Sequence, residues 1–89
     1  MITRELTINN KSGLHARPAS LWVQASSRFR SKIQIKRGDS VVDGKSILGI
    51  LSLGLSTGSV FELLAEGDDE AEAVLTLEKL MFDLDNQDR

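Results

Sequence analysis

Hydrophobic and polar residues alternate in three stretches of the chain, and each stretch predicts a half-buried strand. The stretches are residues 2–8, 32–36 and 60–66. Turn residues at 37–40 follow the second stretch and precede a short strand around Val41 and Val42, so the two predict a hairpin. The Arg-Gly-Asp triplet at 37–39 is interpreted here as part of that turn.

Apolar residues at helical spacing predict a first helix that carries Leu21, Trp22, Ala25 and Phe29. Pro18 is acceptable near its start, because the first helical turn has no intrahelical partner for its N–H groups. The chain's only histidine, His15, is therefore expected on or beside the N-cap of this helix.

Two more helices are predicted further along the chain. Ser46 is a suitable N-cap for a helix of two turns, and Gly54 lies just beyond its end. Asp69 with Glu72 three residues later forms a capping-box pattern for a last helix of about four turns, and the tail from Asp85 onward is expected to fray. The apolar stripe of that last helix consists of Val74, Leu77, Leu80, Met81 and Leu84.

The predicted element order is strand, helix, strand, strand, helix, strand, helix. Helical stripes on one side and polar strand positions on the other predict an α+β open-faced β-sandwich. In this fold a four-stranded antiparallel sheet carries three helices on one face. At 89 residues the chain is long enough for one domain, which is expected to span 1–89.

The composition excludes several classes of protein. With 40% hydrophobic and 27% charged residues, the chain is typical of a soluble globular protein. The absence of cysteine excludes disulfides, and one histidine makes a structural metal site unsupported. No apolar run is long enough to cross a membrane, so a cytoplasmic location is expected. The net charge of -2 argues against nucleic-acid binding.

Positive charge is concentrated in the first part of the chain, and the segment from Glu62 onward is acidic. A basic half around His15 would suit docking to an acidic partner protein, although chance asymmetry of a solvated surface explains the pattern equally well. The early basic residues are Arg4, Lys11, Arg17, Arg28, Arg30, Lys32, Lys36 and Arg37.

The residues around His15 favour contact with phosphate. A helix N-terminus presents unpaired N–H groups and the positive end of the helix dipole, which together bind anions. Gly13 permits a tight loop that would bring the backbone close to a bound group, and Arg17 adds a cation whose planar fork suits phosphate oxygens. A lone histidine at a helix start is otherwise a cap or a surface residue. The combination with glycine, arginine and proline favours a nucleophile that accepts a phosphoryl group.

The short second helix is apolar nearly all round. Only one face can enter the core, so the rest predicts either an exposed patch for a partner or a surface that the fold covers. Its apolar residues are Ile47, Leu48, Ile50, Leu51 and Leu53.

Two separated motifs carry a family resemblance: Gly-Leu-His-Ala-Arg-Pro-Ala at 13–19 and Lys-Ser-Ile-Leu-Gly-Ile-Leu-Ser-Leu-Gly at 45–54. The chain resembles the HPr family, the histidine-containing phosphocarriers of the bacterial phosphoenolpyruvate:sugar phosphotransferase system. The likeness covers nearly the whole chain. The histidine at position 15 excludes the HPr-like regulators that have lost it.

The resemblance implies that His15 accepts a phosphoryl group through Nδ1 from phospho-enzyme I and passes it to enzyme IIA domains in sugar uptake. Arg17 matches the arginine that accompanies it, and Ser12 is a candidate for orienting the imidazole. No cofactor is implied, and a monomer is expected. The partner-binding residues expected from the resemblance are Ala16, Ala19, Ser20, Ile47, Leu48 and Leu51.

Ser46 matches the serine that HPr kinase/phosphorylase modifies in many bacteria. Phosphate at an N-cap is locally favourable, so modification would leave the helix folded and place negative charge beside the apolar patch. Capping is itself a sufficient reason for a serine here. Gly49 and the surrounding run resemble regulated members of the family.

Three alternatives remain open from the sequence. A paralogue in a nitrogen-type regulatory chain would keep the chemistry and change the circuit. A binding-only adaptor would dock a transcription regulator through Ser46 and the helix patch without needing His15. A true enzyme is the weakest alternative, because one histidine and one arginine supply no second acid or base and a small open sandwich has little room for a substrate pocket.

Overall fold

Four strands and three helices follow one another along the described chain in the predicted order. A computed structural model describes residues 1–11 and 13–87. The elements are β1 (Ile2–Thr7), α1 (Ala16–Ser26), β2 (Lys32–Arg37), β3 (Ser40–Asp43), α2 (Ile47–Ser52), β4 (Val60–Glu66) and α3 (Glu70–Gln87).

The strands form one antiparallel sheet in the order β1-β4-β2-β3. The first strand therefore pairs with the last: Ile2 lies opposite Ala65, and Thr7 lies opposite Val60. The outer face of the sheet carries mostly polar strand residues, with Val41 and Val60 also exposed there, while the three helices pack on the other face. The predicted open-faced β-sandwich is confirmed.

The core lies between the sheet and the helices. Its largest side chain is Trp22 of α1, which is fully buried and meets Phe61 of β4 edge-to-face with ring centroids 5.9 Å apart. The alternation in β4 is exact, because Phe61, Leu63 and Ala65 are all buried. Four residues of the predicted α3 stripe are buried, and Leu80 packs against them partly exposed; the buried four are Val74, Leu77, Met81 and Leu84.

Two helix ends differ from the predictions. α1 ends at Ser26, so Phe29 packs against the core from the following loop and not from the helix. α3 continues to Gln87 and includes Asp85 and Asn86, which the sequence analysis assigned to a frayed tail. Its buried stripe reaches Leu84, and this packing holds the last turn in place.

The capping box predicted for α3 is wrong. The carboxylate of Asp69 accepts the backbone N–H groups of Arg30 and Ser31, each at 2.9 Å, and the hydroxyl of Ser31. These hydrogen bonds, that of the Ser31 hydroxyl first, hold the pKa of Asp69 below its usual range. The carboxylate that reaches back before the helix is that of Glu70, which accepts the N–H of Gly67 at 3.1 Å and has a lowered pKa for that reason first.

Among the described residues, no helix combines the length and the hydropathy that a bilayer span requires. The same residues contain no group of three or more histidine, cysteine, aspartate and glutamate side chains placed to hold a metal ion.

Candidate functional site

His15 lies where the loop after β1 meets α1. It is the N-cap of the helix, with extended backbone dihedrals, and its side chain is exposed and makes no capping hydrogen bond. The predicted position of His15 is confirmed. An N-cap residue whose ring does not bind the helix leaves both ring nitrogens available to a group arriving from solvent.

The first turn of α1 leaves backbone donors free of the helix. The first intrahelical bond joins the N–H of Ala19 to the carbonyl of His15 at 2.8 Å. Ala16 and Arg17 precede Ala19 and have no carbonyl four residues back within the helix, and Pro18 has no N–H at all. The N–H groups next to His15 therefore carry the positive end of the helix dipole without an intrahelical partner.

Arg17 is exposed in the same turn as His15. Its guanidinium adds a permanent positive charge to the helix terminus, and its fork geometry suits the oxygens of a phosphoryl group. Ser12, the third predicted member of the site, lies outside the described residues.

Gly13 forms the predicted tight loop. Its φ of +68° is a conformation that other residues rarely adopt, and a Cβ atom there would lie 2.5 Å from the carbonyl oxygen of Leu55. The next residue, Leu14, donates its N–H to the same carbonyl at 2.9 Å. Gly13 therefore also brings the backbone close to another part of the chain.

The predicted patch on α2 is exposed. Leu48 is 77% exposed, Ile47 37% and Leu51 38%, while Ile50 is fully buried and anchors the helix. Since α2 packs against α1, the three exposed side chains lie on the same side of the molecule as the helix that His15 caps. A contiguous apolar surface of this kind is typical of a docking site.

The predicted partner-binding residues of α1 do not all reach the surface. Ala16 is exposed and Ser20 is half-buried, but Ala19 is fully buried. The assignment of Ala19 to a docking surface is corrected, because its methyl group lies in the core beneath α1.

Ser46 is the N-cap of α2, as predicted. Its hydroxyl oxygen accepts the N–H of Gly49 at 3.1 Å. Gly49 packs closely against β3, since a Cβ atom there would lie 3.2 Å from the Cβ atom of Val42. The side chain of Ser46 is half-buried, and the residue directly precedes Ile47, the first residue of the apolar patch.

The basic half predicted around His15 is only partly free. Arg4 forms an ion pair with Glu78 of α3 at 3.4 Å. Arg37 donates from Nη1 to the carbonyls of Leu53 at 2.7 Å and Gly54 at 2.9 Å. Two of the eight basic residues therefore have structural partners, while Arg17 is exposed in the turn that follows His15.

Sequence reasoning missed three residues that shape the site. Leu55 accepts the N–H of Leu14, Thr57 binds the loop before His15, and Arg37 binds the end of α2. Each acts over a long separation in sequence. A local pattern contains no signal for such contacts.

The geometry defines a small open-faced sandwich with an exposed histidine at a helix terminus that attracts anions. Comparison with known proteins gives the family. The family profile "PTS HPr component phosphorylation site" matches residues 2–83. The chain belongs to the HPr family of phosphocarrier proteins of the phosphotransferase system.

The similarity extends over most of the chain. The phosphocarrier protein HPr of Treponema pallidum (strain Nichols) is 44% identical over 80 residues, which are 90% of this chain and 91% of that protein. The HPr-like protein Crh of Bacillus subtilis (strain 168) is also 44% identical over 80 residues, with 90% and 91% covered. A crystal structure of HPr-C-His from Thermoanaerobacter tengcongensis has 48% identity, a TM-score of 0.92 and 97% coverage of both chains.

Proposed function

We propose that this protein accepts a phosphoryl group on His15 from phospho-enzyme I and donates it to enzyme IIA domains in sugar uptake. The single observation that carries the proposal is the position of His15. Its exposed ring lies next to backbone N–H groups that the helix leaves unpaired, and Arg17 stands in the same turn. A transferred phosphoryl group needs an aligned nucleophile and stabilised equatorial oxygens, and these groups supply both.

The transfer is a simple displacement at phosphorus. A neutral imidazole with its proton on Nε2 attacks through the lone pair of Nδ1, and the new N–P bond forms as the bond between phosphorus and the donor atom of enzyme I breaks. The electron pair of the broken bond returns to the donor. The helix N–H groups and Arg17 hold the oxygens of the phosphoryl group throughout, and a second displacement of the same kind returns His15 to its starting state.

The surface for both partners is proposed to combine the exposed part of the first turn of α1 with the α2 patch. The patch residues Ile47, Leu48 and Leu51 offer apolar contact, and Arg17 offers charge for an acidic rim. Ala16 and Ser20 extend this surface along α1.

Ser46 is proposed as a regulatory site for a protein kinase of the HPr kinase/phosphorylase type. Its hydroxyl lies beside the patch, and a phosphate there would remain close to the N–H of Gly49. Added negative charge would oppose docking of a phosphorylated partner while leaving α2 folded.

A binding-only adaptor is the second candidate, favoured by the exposure of Leu48 on the α2 patch. In that case a regulator would bind the α2 patch, and His15 would not be required.

The test is incubation with phosphoenolpyruvate and purified bacterial enzyme I, followed by intact mass and acid treatment. We expect one added phosphoryl group that is lost in acid, and none on the His15→Ala variant. Because the His15 ring caps nothing, this variant should fold normally, which circular dichroism checks. A folded wild-type protein that accepts no phosphoryl group would favour the adaptor.

A further inference from the structure

The segment between β1 and α1 is hydrogen-bonded to residues 55–59, which precede β4 and are here called the 55–59 loop. At one end, Ile8 donates its N–H to the carbonyl of Ser59 at 2.9 Å and accepts the N–H of Gly58 at 2.8 Å. At the other end, Leu14 donates to the carbonyl of Leu55 at 2.9 Å. Backbone hydrogen bonds thus fix both ends of the segment that leads to His15.

The middle of this segment is held by one side chain. The hydroxyl oxygen of Thr57 lies 2.6 Å from the carbonyl oxygen of Asn10 and 3.0 Å from that of Lys11. A hydroxyl has one proton to donate, so the two carbonyls share it. Thr57 therefore binds the segment between the two ends that the backbone hydrogen bonds of Ile8 and Leu14 hold.

Asn10 extends this connection to the residue before Leu14. Its buried side chain donates from Nδ2 to the carbonyl of Gly13 at 3.0 Å. A shift of Asn10 therefore moves Gly13, and through Leu14 it moves His15. Since Thr57 itself is exposed, its contribution is the hydrogen bond rather than packing.

We propose that Thr57 is a positioning residue for His15 in phosphoryl transfer. This inference rests on the proposed function and adds a residue to it that touches neither phosphate nor partner. In-line displacement depends on the placement of the attacking nitrogen, and displacements of an ångström or less reduce rates severely. Thr57 limits the movement of the segment whose last residue carries that nitrogen.

The experiment compares Thr57→Val with Thr57→Ser as acceptors of the phosphoryl group from enzyme I and phosphoenolpyruvate. Valine keeps the shape of threonine and removes the hydroxyl, whereas serine keeps the hydroxyl. Initial rates are measured over a range of acceptor concentrations to separate kcat from KM. Thr3→Val serves as the matched control, because Thr3 is exposed near the opposite end of β1 from His15.

We expect Thr57→Val to lower kcat by about three- to tenfold without changing KM, and Thr57→Ser to restore it. Thr3→Val should match the wild type. A wild-type kcat in Thr57→Val, a change confined to KM, or a failure of serine to rescue would each overturn the positioning role. A wild-type protein that accepts no phosphoryl group would overturn the proposed function and this inference together.

Discussion

Arg37 binds the end of α2 through the carbonyl of Leu53: its Nη1 atom donates to that oxygen at 2.7 Å and to the carbonyl of Gly54 at 2.9 Å. Leu53 is the C-cap of α2 and Gly54 is the next residue, so these carbonyls lie directly after the helix. A cation in this position also complements the negative end of the helix dipole. The last residue of β2 thus holds the end of the short helix that carries the apolar patch.

Arg37→Met should lower the free energy of unfolding by about 1 kcal/mol, because charged hydrogen bonds to two carbonyls are lost at an exposed site. Amide exchange of Leu53 and Gly54 should also become faster, since both N–H groups bond within the last turn of α2. Urea denaturation and hydrogen exchange measure the two effects. Arg28→Met, at the exposed end of α1, is the control, and an equal loss in both variants would contradict the role of Arg37.

Gly13→Ala should be one of the most damaging glycine substitutions in the chain. The alanine would combine an unfavourable φ of +68° with a Cβ atom 2.5 Å from a backbone oxygen. We expect a loss of about 2 to 4 kcal/mol in urea denaturation. Gly38→Ala is the matched control: its φ is +59°, nothing lies within 4 Å of the added Cβ, and the cost should be about 1 kcal/mol. Equal losses would show that contact with Leu55 is unimportant.

Two substitutions of Ser46 distinguish the effect of helix capping on stability from the effect of negative charge on partner binding. Ser46→Ala removes the acceptor for the N–H of Gly49 and should cost about 1 kcal/mol of stability. Ser46→Asp keeps a capping oxygen and adds a negative charge, so it should retain stability and raise the KM for enzyme I. Thermal denaturation and acceptor kinetics distinguish the two. If Ser46→Ala and Ser46→Asp change the KM equally, the negative charge is not the cause of the weaker binding.

Asp69 should make stability depend on pH in the acid range. Its folded-state pKa lies below the ordinary value of 3.8, so the carboxylate stabilises the fold fully above that value. The contribution is lost as the pH falls through the lowered pKa. Asp69→Asn should therefore be less stable than the wild type at neutral pH, and the difference should disappear in strong acid.

Urea denaturation at a series of pH values tests this expectation, with the exposed neighbour in Asp68→Asn as the control. A stability difference between Asp69→Asn and the wild type that persists unchanged into strong acid would assign the effect to packing and not to the charge.

The elements of the fold follow from local pattern wherever burial is periodic. The alternation in β4 and the stripe of α3 each identified an element, and Ser46 identified the start of α2 because capping depends on neighbours in sequence. Asp69 shows the limit of such reasoning. Its sequence context is that of a helix cap, yet its carboxylate binds Ser31, a contact that only the folded chain creates.

In the candidate site, too, local sequence predicts some features and only the folded chain creates others. His15 at a helix terminus was predictable, since the glycine before it and the proline after it define a loop and a helix start. The burial of Ala19 and the contact between Gly13 and Leu55 were not. Both depend on how separate segments approach each other, which hydrophobic periodicity does not specify.

The hydrogen bond between Leu14 and Leu55 affects when, during synthesis, the segment bearing His15 becomes ordered. The segment bearing His15 is held by residues far along the chain, and β1 has no neighbour in the sheet until β4 exists. Contacts of such high sequence separation form late and cooperatively. A nascent chain would therefore present its histidine without the ordered helix terminus around it until synthesis had passed β4.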